Sequence, residues 1–449
     1  MKHKILKTQT QKNKDIFKFL KCVFGFWFLI FGFSNSYAQQ EIWAKITSGA
    51  SRARVRLVMA DFNFPANCPQ NVKINAVNIK QTAYDDLVFC MYFDNIKVDS
   101  AKKYSTIEKK IDFQGWQSTG AQVLLTGNIH IKKNTILTIQ VYDLFYRKLI
   151  GSKDYEIAGD LRLLAHKIAD DIIKLLTGED GVSQTKIAFS LKKGTAKELA
   201  IADYDGYNLN QLTNSGELKL FPDWSSNGTK IAFCSYASSN LNIYTYDWNR
   251  HTIDLVCNKP GLNSSPVFSP DGKTIAASLS IEGTPDIYLM SVDGKNLRRV
   301  TYDRSIEVSP TWTPSGQELA YVSDRTGTPQ IYVVNVDGTD MRRLTFEGSY
   351  NTSPAWSPRG DIIAYVCRES DGLNQIYVTD INGENRMRLT NLRNNEEPSW
   401  SPDGLHIAFS SNRTRTYEIY LMNWNGSGQR KITNTAGAFS PTWSPRLSK

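Results

Sequence analysis

The chain has 449 residues, with 53 Lys and Arg against 44 Asp and Glu, a formal net charge of +9. The excess is local: residues 1–38 hold seven Lys and one Asp, so the remainder carries 46 basic and 43 acidic residues, a net of +3. A balance so near neutral gives a nucleic-acid partner no support, and the five cysteines beyond residue 38 show no C-x-x-C spacing that would suggest a metal or redox motif.

The amino terminus reads as an export signal, residues 1–38. Seven Lys lie between Lys2 and Lys21, an apolar run follows from Cys22 to Phe33, and Ser34-Asn35-Ser36-Tyr37-Ala38 places small residues at −3 and −1 of a cut between Ala38 and Gln39. The run of 12 is short for a bilayer span, so no membrane span is expected after cleavage. Cys22 opens the run and does not follow it, which argues against a lipid-modified cysteine. From Gln39 to Arg52 the chain is polar, with Ile42, Trp43 and Ile46 as isolated anchors. It reads either as an arm that packs or reaches a partner, or as a disordered terminus.

Residues 39–180 read as an α/β domain. Arg54 to Asp61 has the pattern of a strand, and a helix is expected between Val72 and Phe93. Val123 to Ile131 and Thr135 to Asp143 form a hairpin across Lys132-Lys133-Asn134. From Asp160 to Thr177, Leu161, Leu164, Ile168, Ile172 and Leu175 make one apolar helical stripe, with Asp160 as cap and Gly178 after the end. About 140 residues suffice for an independent core. Cys68 and Cys90 are a candidate disulfide; Cys234 and Cys257, on non-adjacent strands further on, read as buried thiols.

Residues 181–449 are repetitive. The phrase Pro-x-aromatic-Ser/Thr recurs around Trp224, Phe268, Trp312, Trp356, Trp400 and Trp443, at spacings of 44, 44, 44, 44 and 43 residues. Each unit holds four short apolar runs separated by Gly, Pro, Asp and Asn, including the hairpin signals Asp271-Gly272, Asp293-Gly294, Asp337-Gly338, Asn382-Gly383 and Asp403-Gly404. A period of about 44 residues with four strands is the signature of a propeller blade. The first unit lacks its opening strand and starts at Lys186-Ile187-Ala188-Phe189; the missing piece, Ser440-Pro441-Thr442-Trp443, stands at the other end. Six blades are therefore expected, with the C-terminal strand closing the ring and removing its edges. The aromatics read as wedges between blades.

The order of export signal, α/β domain and six blades resembles the TolB family of the Tol–Pal envelope system. The most specific likeness is at the junction, Leu161-Arg162-Leu163-Leu164-Ala165-His166-Lys167-Ile168-Ala169-Asp170-Asp171-Ile172 and then Leu176-Thr177-Gly178-Glu179, with Val141-Tyr142-Asp143 also similar. Residues 62–118 match the family pattern poorly, and the arm after residue 38 has no recognisable signature. The resemblance implies a non-enzymatic, monomeric periplasmic scaffold without cofactor. It would bind the peptidoglycan-associated lipoprotein Pal, with TolA as a further partner of the arm or first domain, and support outer-membrane integrity and constriction at division. Three residues before each blade's Pro the chain has Lys219, Asn263, Glu307, Asn351, Asn395 and Ala438. Asn263, Glu307, Asn351 and Asn395, with Glu396 and Glu397, are the expected partner-facing rim of one channel mouth; a merely solvated rim is the plainer reading.

Two other functional classes stay open. One is a saccharide- or peptidoglycan-binding propeller outside the Tol system. The other is an enzyme with an axial carboxylate site built from Glu307 and Glu397. Against catalysis, His130, His166, His251 and His406 do not repeat around the ring, and neither G-x-S-x-G nor H-E-x-x-H occurs.

Overall fold

The computed structural model describes residues 54–97, 104–106, 110–236 and 240–447. The export signal, the Ala38–Gln39 cut and the arm at 39–52 lie outside these residues.

Before the repeats the elements are β1 (Val55–Met59), α1 (Gln70–Phe89), β2 (Phe93–Asn95), α2 (Phe113–Ser118), β3 (Val123–Ile131), β4 (Thr135–Asp143), β5 (Lys148–Glu156) and α3 (Leu161–Thr177). They build one sheet in the order β2-β1-β3-β4-β5, parallel where β1 meets β2 and β3 and antiparallel beyond. Helices α1 and α3 share a core with it: Leu57, Val123, Leu125, Ile139 and Val141 meet Ala76, Ile79, Ala83 and Leu87 of α1 and Ile168, Ile172 and Ile173 of α3. The cap of α3 is the one its sequence suggests. The Asp160 carboxylate accepts from the backbone N–H groups of Arg162 (2.9 Å) and Leu163 (3.1 Å), and Gly178 turns out of the helix at φ 77°. Cys68 and Cys90 are separate buried free thiols, as are Cys234, Cys257 and Cys367, so the candidate disulfide is absent.

The repeats form six four-stranded antiparallel sheets. Their inner strands are Lys219–Trp224, Asn263–Phe268, Glu307–Trp312, Asn351–Trp356, Asn395–Trp400 and Ala438–Trp443, which number the blades one to six. In the sixth, Ala438–Trp443 pairs with Lys186–Lys193, Trp443 opposite Ile187 and Ala438 opposite Leu191, and Ala196–Asp203 and Asn210–Gln211 complete the sheet. The C-terminal strand thus closes the ring, as the split repeat requires. The aromatics pack between neighbouring blades. Trp312 Nε1 donates to Val267 O (3.2 Å) and Trp400 Nε1 to Ala355 O (2.9 Å) of the preceding blade, while Trp443 Nε1 reaches Thr185 Oγ1 (2.8 Å).

The hairpin turns need their glycines. Gly294 sits at φ 78°, and a Cβ there would lie 1.9 Å from Val256 O of the preceding blade. A side chain at that position would both strain the turn and separate the blades.

Candidate functional site

Every inner strand starts at one mouth of the channel and ends at the other. The Asp-Gly hairpins between first and second and between third and fourth strands lie at the far mouth, because successive strands alternate in direction. The N-terminal domain packs at that far mouth. Leu405 and Trp424 of blade five join its core, Phe89 of α1 stacks on His406 (3.9 Å between centroids), and the Phe89 carbonyl lies 2.8 Å from His406 Nε2. The near mouth, where the inner strands begin, faces away from this contact.

The channel wall is built by one device repeated six times. The residue before each Pro, namely Phe221, Ser265, Ser309, Ser353, Glu397 and Ser440, holds φ between 50° and 56°. At the same place the inner strand slips its register against the second strand. Such a bulge turns the backbone toward the axis, and a positive φ outside glycine is sustained only where surrounding structure imposes it. Here the preceding blade does so: Ser309 N–H donates to Ser278 Oγ (3.1 Å) and Ser440 N–H to Ser410 Oγ (3.0 Å). The residue after each Pro links to the next blade. Asp223 accepts from Phe268 N–H (2.8 Å) and Ser399 Oγ from Trp443 N–H (3.0 Å). The cavity so enclosed is about 360 Å³.

Two carboxyls line it. Burial pushes Asp223 up to about 7, against the hydrogen bonds it accepts from Phe268 and Thr442. Burial also raises Glu397, which accepts from Ser440 N–H (2.6 Å), Ser440 Oγ (2.7 Å) and Ser410 Oγ (3.1 Å). Both carboxyls reach the inner strand of blade six, one from each side.

The residues expected at the near rim sit at the start of their inner strands, and their side chains are turned inward. Asn263, Glu307, Asn351 and Asn395 each have 0% exposure. Each amide ties down the loop that enters its strand. Asn263 Nδ2 donates to Lys259 O (2.7 Å) and Gly261 O (3.2 Å), Asn351 Nδ2 to Glu347 O (2.8 Å), and Asn395 Nδ2 to Leu392 O (3.0 Å). Asn351 and Asn395 also donate to Gln330 and Gln375 of the preceding blade (2.8 and 3.0 Å). Glu307 is ion-paired with Arg325. Glu396 is half-buried and accepts from Asn374 (2.7 Å), and Glu397 points into the channel wall as described. Glu307 and Glu397 therefore belong to separate partner sets.

The near mouth exposes several large apolar side chains among charged and polar ones such as Arg304, Glu347 and Arg393. Tyr302, Phe346 and Leu392, on the loops entering blades three, four and five, are 74%, 67% and 57% exposed, with Ile306 beside them also exposed. Tyr302 lies over Arg299 (4.8 Å), Phe346 over Arg343 (5.1 Å), and Tyr350 under Arg368 (4.0 Å). Exposed apolar side chains set among charged ones are the make-up of a protein-binding patch. The sequence holds a cue for it, since these positions directly follow or closely trail the Thr that ends each fourth strand.

Between α1, α3 and the propeller lies a second cavity of about 800 Å³, bordered by Asp86, Phe89, Arg162, Tyr204, Asp205 and Arg430. Among the described residues, His166, Asp203 and Asp205 are the one set of three metal-type donors within 4.8 Å of each other. Lys186 and Asn208 hold Asp203, and Arg162 holds Asp205, so the carboxylates serve an ion-pair network.

Comparison with known proteins gives consistent matches to both halves. The family model described as the TolB beta propeller domain matches residues 173–447, and that of the TolB amino-terminal domain matches residues 45–150. Among curated relatives, the Tol-Pal system protein TolB of Syntrophotalea carbinolica is 36% identical over 133 residues, covering 29% of this chain and 31% of that protein. That of Geobacter metallireducens is 42% identical over 121 residues, 26% of this chain and 28% of the relative. The chain thus spans about a third of the length of the curated relatives it matches. The crystal structure of TolB from Acinetobacter baumannii superposes with a TM-score of 0.76 at 27% identity, over 87% of this chain and 97% of that one.

Proposed function

The chain belongs to the TolB family, and on that premise we propose that it is a periplasmic, non-enzymatic scaffold of a Tol–Pal envelope system whose near channel mouth binds a peptidoglycan-associated lipoprotein. The observation that carries the reading is the two-faced ring. One mouth is flanked at blades five and six by the protein's own N-terminal domain; the other presents exposed apolar side chains, among charged ones, on loops braced by buried amides. Asn263, Asn351 and Asn395, with Glu307, act in this reading as positioning residues that hold the loops, while Tyr302, Phe346 and Leu392 make contact. Preorganised loops spare the ordering cost of association. Among the described residues no helix is long and apolar enough to cross a membrane. TolA stands as a second proposed partner, through the N-terminal arm or domain, and the role in outer-membrane integrity and constriction at division follows from the lipoprotein link.

The test is a pull-down from envelope extract with residues 39–449, read by mass spectrometry. The proposal expects a peptidoglycan-associated lipoprotein, retained by the unmodified chain and lost with Phe346→Glu. Recovery of wall fragments or saccharides with no lipoprotein would overturn it in favour of a saccharide-binding propeller.

A further inference from the structure

The domain contact holds two buried histidines, His406 against Phe89 and His166 of α3, and the second faces carboxylates on two sides. His166 of α3 is 2% exposed; its ring is hydrogen-bonded within its own domain and faces the propeller with its other nitrogen. Nδ1 lies 2.7 Å from Asp86 Oδ2 of α1, and the other Asp86 oxygen accepts from the Tyr204 hydroxyl of the propeller. Nε2 points across the domain boundary toward Asp205 Oδ2, at 3.5 Å, and has no hydrogen-bond partner. A neutral imidazole that donates Nδ1–H to Asp86 leaves a lone pair on Nε2 facing a carboxylate. A proton on Nε2 turns that repulsion into a charged hydrogen bond.

We propose that His166 is a proton-operated latch between the N-terminal domain and the propeller: protonated, it bridges Asp86 and Asp205 and holds the two together; neutral, it releases Asp205 and loosens the joint. This rests on the contact geometry alone and is independent of which partner the near mouth takes.

The surrounding charges agree with the latch. Asp86 faces His166 from α1, and Asp205 faces it from the propeller, paired to Arg162 of α3. Asp203 lies alongside, paired to Lys186. Tyr204 packs edge-on at 5.7 Å, and Arg430 sits over Phe89 and Tyr204 at 4.4 and 5.6 Å. Burial opposes charging of His166, yet the hydrogen bond and charge of Asp86, with the charge of Asp205, outweigh it and hold the imidazole above its ordinary 6.5. The sign follows. A histidine raised in the docked state stabilises docking fully below pH 6.5, and that contribution is lost as pH rises through the docked-state value. Burial also raises Asp86, chiefly, against the His166 and Tyr204 bonds. Its contribution likewise favours low pH, complete below 3.8 and lost as pH rises through its own raised value, so the His166 resonance is followed directly to separate the two groups.

The experiment uses residues 39–449 with 13C-labelled histidine, followed by NMR from pH 5 to 9, and amide exchange of segments 82–89 and 203–207 over the same range. The expected result is a His166 resonance, identified by its loss in His166→Gln, with a midpoint above 6.5. Interface exchange, corrected for intrinsic rates, should accelerate through that midpoint by up to about tenfold per pH unit, the ceiling for one proton. Asp205→Asn should lower the midpoint. A midpoint at or below 6.5 in the unmodified chain would overturn the proposal, as would interface protection that stays constant while His166 titrates.

Discussion

Replacing Trp443 by Ala tests whether the ring depends on its closing strand. Trp443 is buried among Val182, Ile187, Phe189 and Leu191, donates its indole N–H to Thr185 at 2.8 Å, and bonds blade five through its backbone N–H. Truncating a buried Trp costs about 3–5 kcal/mol through lost transfer energy and the cavity left behind. The matched control is Trp356→Ala, in a blade whose four strands follow one another in the chain; its indole bonds Gly360 of the adjacent turn at 3.3 Å. The two losses should be similar in total and differ in place. In Trp443→Ala the damage falls on the strand pair that joins the two parts of the split repeat, so residues 186–193 should exchange their amides at least about tenfold faster than in Trp356→Ala, equivalent to about 1.4 kcal/mol of local stability. Urea titration gives the total and native-state exchange gives the location; both are needed because a two-domain chain need not unfold in one step. A Trp443→Ala loss under about 1 kcal/mol, or equal protection of 186–193 in the two variants, would refute the closure argument.

Other expectations follow from the same geometry. Asp160→Ala removes the carboxylate that caps α3 and should cost about 1 kcal/mol, read by thermal melting; an unchanged melt would contradict the cap. Asp223, pushed up to about 7 from 3.8, is favoured as the neutral acid in the folded state, so its contribution is complete below pH 3.8 and lost as pH rises through 7. Asp223→Asn should therefore gain on the unmodified chain as pH rises, by at most about 4 kcal/mol and less because the Asp223 residue is only half-buried; a constant difference between pH 4 and pH 8 would contradict this. Gly294→Ala should destabilise by more than about 1 kcal/mol, since it meets both a positive φ and Val256 O; chemical denaturation with no change would be inconsistent with blade packing at that turn.

Much of the architecture was legible because periodic signals dominate it. The 44-residue spacing and the split repeat dictate six blades and their closure, and the 3.6-residue stripe with Asp160 and Gly178 fixes α3. Strand β5 left no such trace: Lys148–Glu156 is an edge strand exposed along most of its length, so apolar and polar residues do not alternate. Helix α1 was placed only loosely. Its buried face uses the small residues Ala76 and Ala83, and no side chain caps it after Pro69. The rim residues were located at the correct strand ends, but polarity alone suggests exposure where the structure has 0%. Asn at the same register in blades two, four and five was the available clue, since a solvated position need not repeat its residue while a loop-bracing amide must. The contacting arc at Tyr302, Phe346 and Leu392 was passed over because scattered surface aromatics carry little meaning until a fold gathers them on one face.

The central claim is a lipoprotein interface at the near mouth, opposite the N-terminal domain. Isothermal titration of residues 39–449 with the purified, soluble form of the organism's own peptidoglycan-associated lipoprotein tests it most directly. The account predicts saturable one-to-one binding, weakened about tenfold or more, or roughly 1.4 kcal/mol, by Phe346→Glu with the far-ultraviolet circular dichroism unchanged. Absence of binding, or binding indifferent to both Phe346→Glu and Tyr302→Glu, would contradict it.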